Sequence, residues 1–110
     1  MTDRELLEAA AKAAGEYYGE WSDRAGAFRI RYAGEWCEWN PLVSDGDALR
    51  LAVKLKMCVG VVPSNIKDGH ATVALAPANP VEIGETHADD PYAATRRAIV
   101  RAAAEIGRDM

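Results

Sequence analysis

The side chains of this 110-residue sequence that could ligate a metal or activate a nucleophile are few and badly spaced for either task. His70 and His87 are the only histidines, and neither lies within a short ligand spacing of Cys37 or Cys58. His87 stands in an acidic segment with Glu82, Glu85, Asp89 and Asp90, where a divalent cation could collect. Acids ahead of a helix suit the positive end of its dipole, so the segment reads as a solvated loop and cap. Nucleophilic catalysis needs a Ser or Cys with a base beside it. No G-x-S-x-G elbow, Gly-rich phosphate loop or H-E-x-x-H is present. Ser44-Asp45-Gly46-Asp47 looks like the start of a calcium loop but lacks the alternate acids and the distal Glu, and helix capping by Ser44 and Asp47 explains it better. The expectation is a protein that is not an enzyme, with no catalytic, metal-binding or cofactor-binding residue and no cofactor.

Binding chemistry has more to work with. Arg97, Arg101 and Glu105 share one side of a helical wheel, opposite Tyr92, Ile99, Ala103 and Ile106, and Arg108 extends the strip. Such a strip could touch phosphate or an acidic protein, and a solvated helix face gives the same pattern. Arg96 falls at the edge of the apolar side, where a charge needs a partner, so an internal ion pair is expected there. Trp21, Trp36 and Trp39 lie within 19 residues. At least two should be core; one left exposed beside Tyr17 or Tyr18 would anchor a partner. The candidate partner-binding residues are therefore Trp21, Trp36, Arg97 and Arg101.

The bulk properties narrow the classes. The length suits one domain, residues 1–110. A hydrophobic content of 49% and a charged content of 27% are globular values. The net charge of −4 gives no general attraction to nucleic acid or an anionic membrane. No stretch of 18 uncharged apolar residues occurs. The opening residues carry acids from Asp3 onward without a basic start, which is unlike a signal peptide. Cytoplasmic location is the expectation, with both cysteines free and buried.

These residues must be positioned by recognisable elements. Thr2 and Glu5 form a capping-box pattern, and Leu6, Leu7, Ala10, Ala11, Ala13 and Ala14 give an apolar side to a first helix that Gly15 ends. Phe28, Ile30 and Tyr32 alternate with Arg29 and Arg31 as a half-buried strand. A short strand over 17–21 and a return strand over 36–39, turning at 33–35, are the expected companions. Pro41 breaks the pattern. Ser44 or Asp45 then caps a second helix to about Lys56, apolar over more than half its circumference and so expected to be pressed between a sheet and another element. Residues 57–62 and 70–76 read as a hairpin across the turn-forming 64–69. A loop with Pro77, Pro80 and Gly84 leads to Asp90 as cap and Pro91 at the first position of a last helix reaching Gly107.

Trp39-Asn40-Pro41-Leu42 followed by Asp45-Gly46-Asp47-Ala48-Leu49-Arg50-Leu51-Ala52 resembles the phage ABA-sandwich domain family. Asp90-Pro91 with Ala94-Thr95-Arg96-Arg97-Ala98-Ile99-Val100-Arg101-Ala102-Ala103, and the opening Thr2-Asp3-Arg4-Glu5-Leu6-Leu7, fit it too. The resemblance implies a sheet between helices, phage or prophage origin and a bacterial host cytoplasm, with Trp39 and Leu42 as core. It supplies no activity. The expected fold is α+β, a three-layer α/β/α sandwich with three helices and a small, mainly antiparallel sheet of three to five strands, in the order α-β-β-α-β-β-α. Its core should include Leu6, Leu49, Leu51, Val59, Val61, Val73, Leu75, Ile99 and Ile106. The expected function is a phage accessory protein that binds a protein of host or phage, a defence component among the options. The alternative is a nucleic-acid-associated protein that uses the arginines of the last helix, which the acidic balance disfavours.

Overall fold

A computed structural model describes residues 2–15, 18–32, 34–63, 70–76, 81–87 and 89–108. The first helix, α1 (Asp3–Ala14), begins as its sequence requires: the Thr2 hydroxyl accepts from the Glu5 amide, and the Glu5 carboxylate accepts from the Thr2 amide. The Thr2 amide's bond to the carboxylate, followed by that of the Thr2 side chain to the same group, holds the Glu5 carboxyl below its ordinary value of 4.5. Gly15 closes the helix at φ 70°, a conformation that costs glycine nothing.

Three strands follow, β1 (Tyr18–Ser22), β2 (Ala27–Tyr32) and β3 (Glu35–Trp39), forming an antiparallel sheet in chain order. The alternation in β2 works as expected: Phe28 and Ile30 turn inward while Arg29 and Arg31 are exposed. Pro41 ends the sheet region, and α2 (Asp45–Lys54) starts with Ser44 accepting from the Asp47 amide. It stops short of Lys56, which takes a φ of 55° beyond the cap at Leu55.

The second sheet holds β4 (Cys58–Pro63), β5 (His70–Ala76) and β6 (Val81–Thr86), again antiparallel in chain order. The turn over 64–69 and the loop prolines Pro77 and Pro80 lie outside the described residues, as do Ala33 and Tyr17. The last helix, α3 (Pro91–Arg108), starts where Asp90 accepts from the amides of Tyr92 and Ala93. The fold is thus α+β with three helices, in the order α-β-β-β-α-β-β-β-α.

Two points differ from the expected layout. Six strands form two three-stranded sheets where one sheet was expected. The segment read as an acidic loop is β6, hidden by Gly84, which sits across from Val73 in the ladder. A glycine weakens the strand signal, but here it has no packing to lose.

The main core joins α1, α3, α2 and the inner side of the first sheet. Leu6, Leu7, Phe28, Ile30, Trp39, Leu51, Ile99 and Val100 meet there. A smaller cluster of Ala74, Ala98 and Ala102 seats β5 on α3. The seam between α1 and α3 is lined with small residues, and at Gly107 an added Cβ would stand 1.8 Å from the Ala9 carbonyl oxygen. Of the expected core residues, Leu6, Leu51 and Ile99 are buried, and Val73 and Ile106 are half-buried. Leu49, Val59, Val61 and Leu75 are instead exposed. The reason is positional: β4 is an edge strand, α2 turns only Ala48, Leu51 and Ala52 into the interior, and Leu75 points to the side of β5 away from buried Thr72, Ala74 and Ala76.

Candidate functional site

Leu75 faces the opposite side of the second sheet, and the surface left by Leu49, Val59 and Val61 has a concave part. Ala48, Leu49 and Ala52 of α2, Val59 of β4 and Tyr92, Thr95, Arg96 and Ile99 of α3 enclose a groove of about 250 Å³. Its walls are almost wholly apolar. Leu49 and Val53, one helical turn apart, are 64% and 68% exposed, and Val61 is 61% exposed. Tyr92 and Val59 complete the rim.

Arg96 closes one end. Its Nε donates to the Leu42 carbonyl at 2.8 Å, and its guanidinium meets Asp45 at 2.7 Å. Arg96 thus has the ion-pair partner expected for a charge at the edge of an apolar helix side, but the pair lies at the surface rather than inside. Asp45 remains 78% exposed at the mouth of the groove. Asp47 accepts from the Asn40 amide and from Arg50, while the Asn40 side chain ties back to the Gly26 carbonyl and the Leu42 amide. The Trp39-to-Asp47 segment is therefore a folding device that anchors α2 against the first sheet.

The arginine strip is largely neutralised. Arg101 is paired with Glu85, Arg97 lies between Asp3 at 3.4 Å and Glu85 at 3.9 Å, and Arg108 meets Glu105 at 2.9 Å. Glu85 reaches them because β6 is a strand: opposite Thr72, it shares the helix-facing side of the sheet. Of the acids of that segment, Asp90 is the exposed cap of α3 as expected, whereas Glu82 and Glu85 alternate across the ladder of β6.

The tryptophans divide. Trp39 is buried, and Trp21 packs on the core edge-to-face with Phe28, ring centres 5.0 Å apart, its Nε1 donating to Asp23 and the Arg4 guanidinium 5.4 Å from its ring centre. Trp36 is 39% exposed on the outer side of the first sheet, across from Arg31, whose guanidinium lies 5.6 Å from the ring. Trp36 is thus on a different sheet from the groove, and Arg97 and Arg101 lie on the β6 side of α3.

One cluster resembles a nucleophile and its base. His87 Nε2 and Thr72 Oγ1 are 2.8 Å apart, and Thr72 Oγ1 is 2.8 Å from Thr95 Oγ1. The Thr95 hydroxyl gives its single proton to the Pro91 carbonyl. It must then accept from Thr72, and Thr72 must accept from His87. A histidine that donates to a hydroxyl cannot take its proton, and Thr72 is fully buried. The chain His87 to Thr72 to Thr95 to Pro91 latches the second sheet to the first turn of α3. His70 stacks on His87 at 6.2 Å. Among the described residues, no group of three or more His, Cys, Asp and Glu is arranged to hold a metal. Cys37 and Cys58 are free but exposed rather than buried, because both lie on edge strands.

The groove was missed because α2 read as a helix covered on two sides. Its excess of apolar positions was the available signal, and the structure leaves that excess facing outward. No described helix is long and apolar enough to cross a membrane. Compared with family models, curated proteins and solved structures, this chain matches none of them.

Proposed function

We propose that this protein acts by binding another protein through the apolar groove between α2, α3 and β4, as a small phage or prophage accessory factor. The observation that carries this reading is the contiguous set Leu49, Val53, Val59, Val61 and Tyr92, exposed around a preformed concavity. Exposed apolar clusters rimmed by polar groups mark interaction sites, and burying a Val or Leu contributes roughly 1.5–3 kcal/mol. The phage assignment rests on the resemblance of residues 39–52 and 90–103. Nucleic-acid binding by the α3 arginines is disfavoured, since each already has a carboxylate and the chain carries a net charge of −4.

The test compares wild type, Leu49→Arg and Arg97→Ala/Arg101→Ala in pull-downs from bacterial host lysate, alongside binding to a labelled oligonucleotide across a salt series. A partner retained by the arginine variant and lost by Leu49→Arg is expected. Salt-sensitive oligonucleotide binding with a log–log slope near −2 to −3, abolished in the arginine variant, would replace this reading by the nucleic-acid one.

A further inference from the structure

The two sheets have four edge strands, and three of them carry acids. Glu20 lies in β1, Glu35 and Glu38 in β3, and Glu82 and Glu85 in β6. Charges on an edge strand prevent it from pairing with a neighbouring chain. The fourth edge, β4, reads Cys58-Val59-Gly60-Val61-Val62-Pro63: uncharged, rich in β-branched residues and exposed along its whole length. Among the described residues it pairs with β5 on one side only. Pro63 limits the pairable stretch to about five residues.

We propose that the occupant of this edge is a second copy of the chain, joined by antiparallel pairing of β4 with β4 about a two-fold axis. The proposal rests on the reading of the groove surface as a docking surface and names its partner.

The register follows from the side-chain alternation. Val59 and Val61 stand opposite Ala74 and Thr72, on the side of the sheet that faces α3, whereas Gly60 stands opposite Val73. A two-fold axis perpendicular to the sheet keeps each side continuous only if it passes through a residue pair rather than between pairs. Centred on Gly60, it sets Val59 against Val61 of the second copy and Cys58 against Val62. The six strands then make one continuous sheet.

The same axis brings the two α2 helices together over the seam, antiparallel, with Leu49 and Val53 between them. Charge agrees with this orientation. The first turn of α2 carries Asp45 and Asp47, while its last turn carries Lys54, with Lys56 just beyond. An antiparallel pair places the acidic end of each helix by the basic end of the other, and Asp45 is exposed enough to meet a second cation. Each of the other edges would carry glutamates of both copies into the pairing. The exposed parts of Leu49, Val53, Val59, Val61, Val62 and Tyr92 amount to roughly 600 Å², before any polar rim, against the ~800 Å² per partner of a standard stable interface. A closed two-fold pair also consumes both free β4 edges, leaving none for open-ended growth.

The experiment measures mass by sedimentation equilibrium from low to high micromolar concentration, for wild type and for Leu49→Arg/Val61→Lys. A second arm uses Gly60→Cys in a Cys37→Ser/Cys58→Ser background under mild oxidation; an added Cβ at Gly60 meets no atom within 4 Å, so this variant should fold. The wild type should be a dimer and the double variant a monomer with unchanged circular dichroism. Gly60→Cys should form an inter-chain disulfide across the axis. A wild type that stays monomeric throughout overturns the self-pairing, and the docking reading then survives only if Leu49→Arg still abolishes capture of another protein. A dimer that persists in the double variant, or that gives no Gly60 cross-link, overturns it too, since the interface then lies elsewhere.

Discussion

Replacing Gly107 by alanine should destabilise the protein although alanine is the better helix former. Gly107 lies inside α3, buried against α1. A Cβ there would stand 1.8 Å from the Ala9 carbonyl oxygen and 2.6 Å from its carbon. Ordinary C···O contacts are about 3.3 Å or longer, so α1 would have to retreat by roughly 1.5 Å. The obstacle is backbone and has no rotamer to change. A gap of 0.5–1 Å already loses about a quarter to a half of each dispersion contact, and that loss would extend along the alanine-lined seam. Overpacking typically costs ~1–3 kcal/mol, and a backbone clash belongs at or above the upper end. The gain in helix propensity is about 1 kcal/mol. The net loss is then ~2 kcal/mol, which lowers Tm by roughly 8–16 °C in a domain of this size. Gly46→Ala is the control, because its Cβ meets only the movable Arg50 guanidinium at 3.3 Å in the first turn of α2. Calorimetric melts should show Gly46→Ala at or above wild type and Gly107→Ala far below it. A Gly107→Ala protein that melts at or above wild type would refute the close approach of α1 and α3.

Thr72→Val keeps the shape of the side chain but removes the hydroxyl that links His87 to Thr95, leaving a donor and an acceptor without each other; urea unfolding should show a loss of about 1–3 kcal/mol, with Thr72→Ser recovering most of it. Equal stability of the valine variant and wild type would mean the latch contributes nothing. Glu5 has a folded pKa below its ordinary value of 4.5, so its contribution is present above that value and is lost as pH falls through the lower folded one. The melting difference between wild type and Glu5→Gln should therefore shrink in that acidic window, and a difference that instead grows with acidification would reverse the assignment.

What the sequence by itself determined are the features governed by neighbours along the chain. Thr2 and Glu5, Ser44, Asp90 with Pro91, and Gly15 mark helix ends because capping groups act within three or four residues. The alternation around Phe28 and Ile30 shows the strand because side chains in a pleat have a period of two. Arg96 could be assigned an ion pair from its place on the wheel, since a charge at an apolar edge needs a partner wherever that partner lies. Tertiary structure decided which apolar surfaces are covered. Leu49 and Leu51 are equally apolar, yet one is exposed and the other buried, because α3 packs on only one side of α2. Val59 and Val61 read as core strand residues, yet β4 lies at the edge of its sheet among the described residues and both remain exposed. Glu85 looked like a loop acid until the ladder with β5 brought it to Arg97 and Arg101. Burial is a property of pairs of elements far apart in the chain, and local patterning reports the side that is apolar without reporting what meets it.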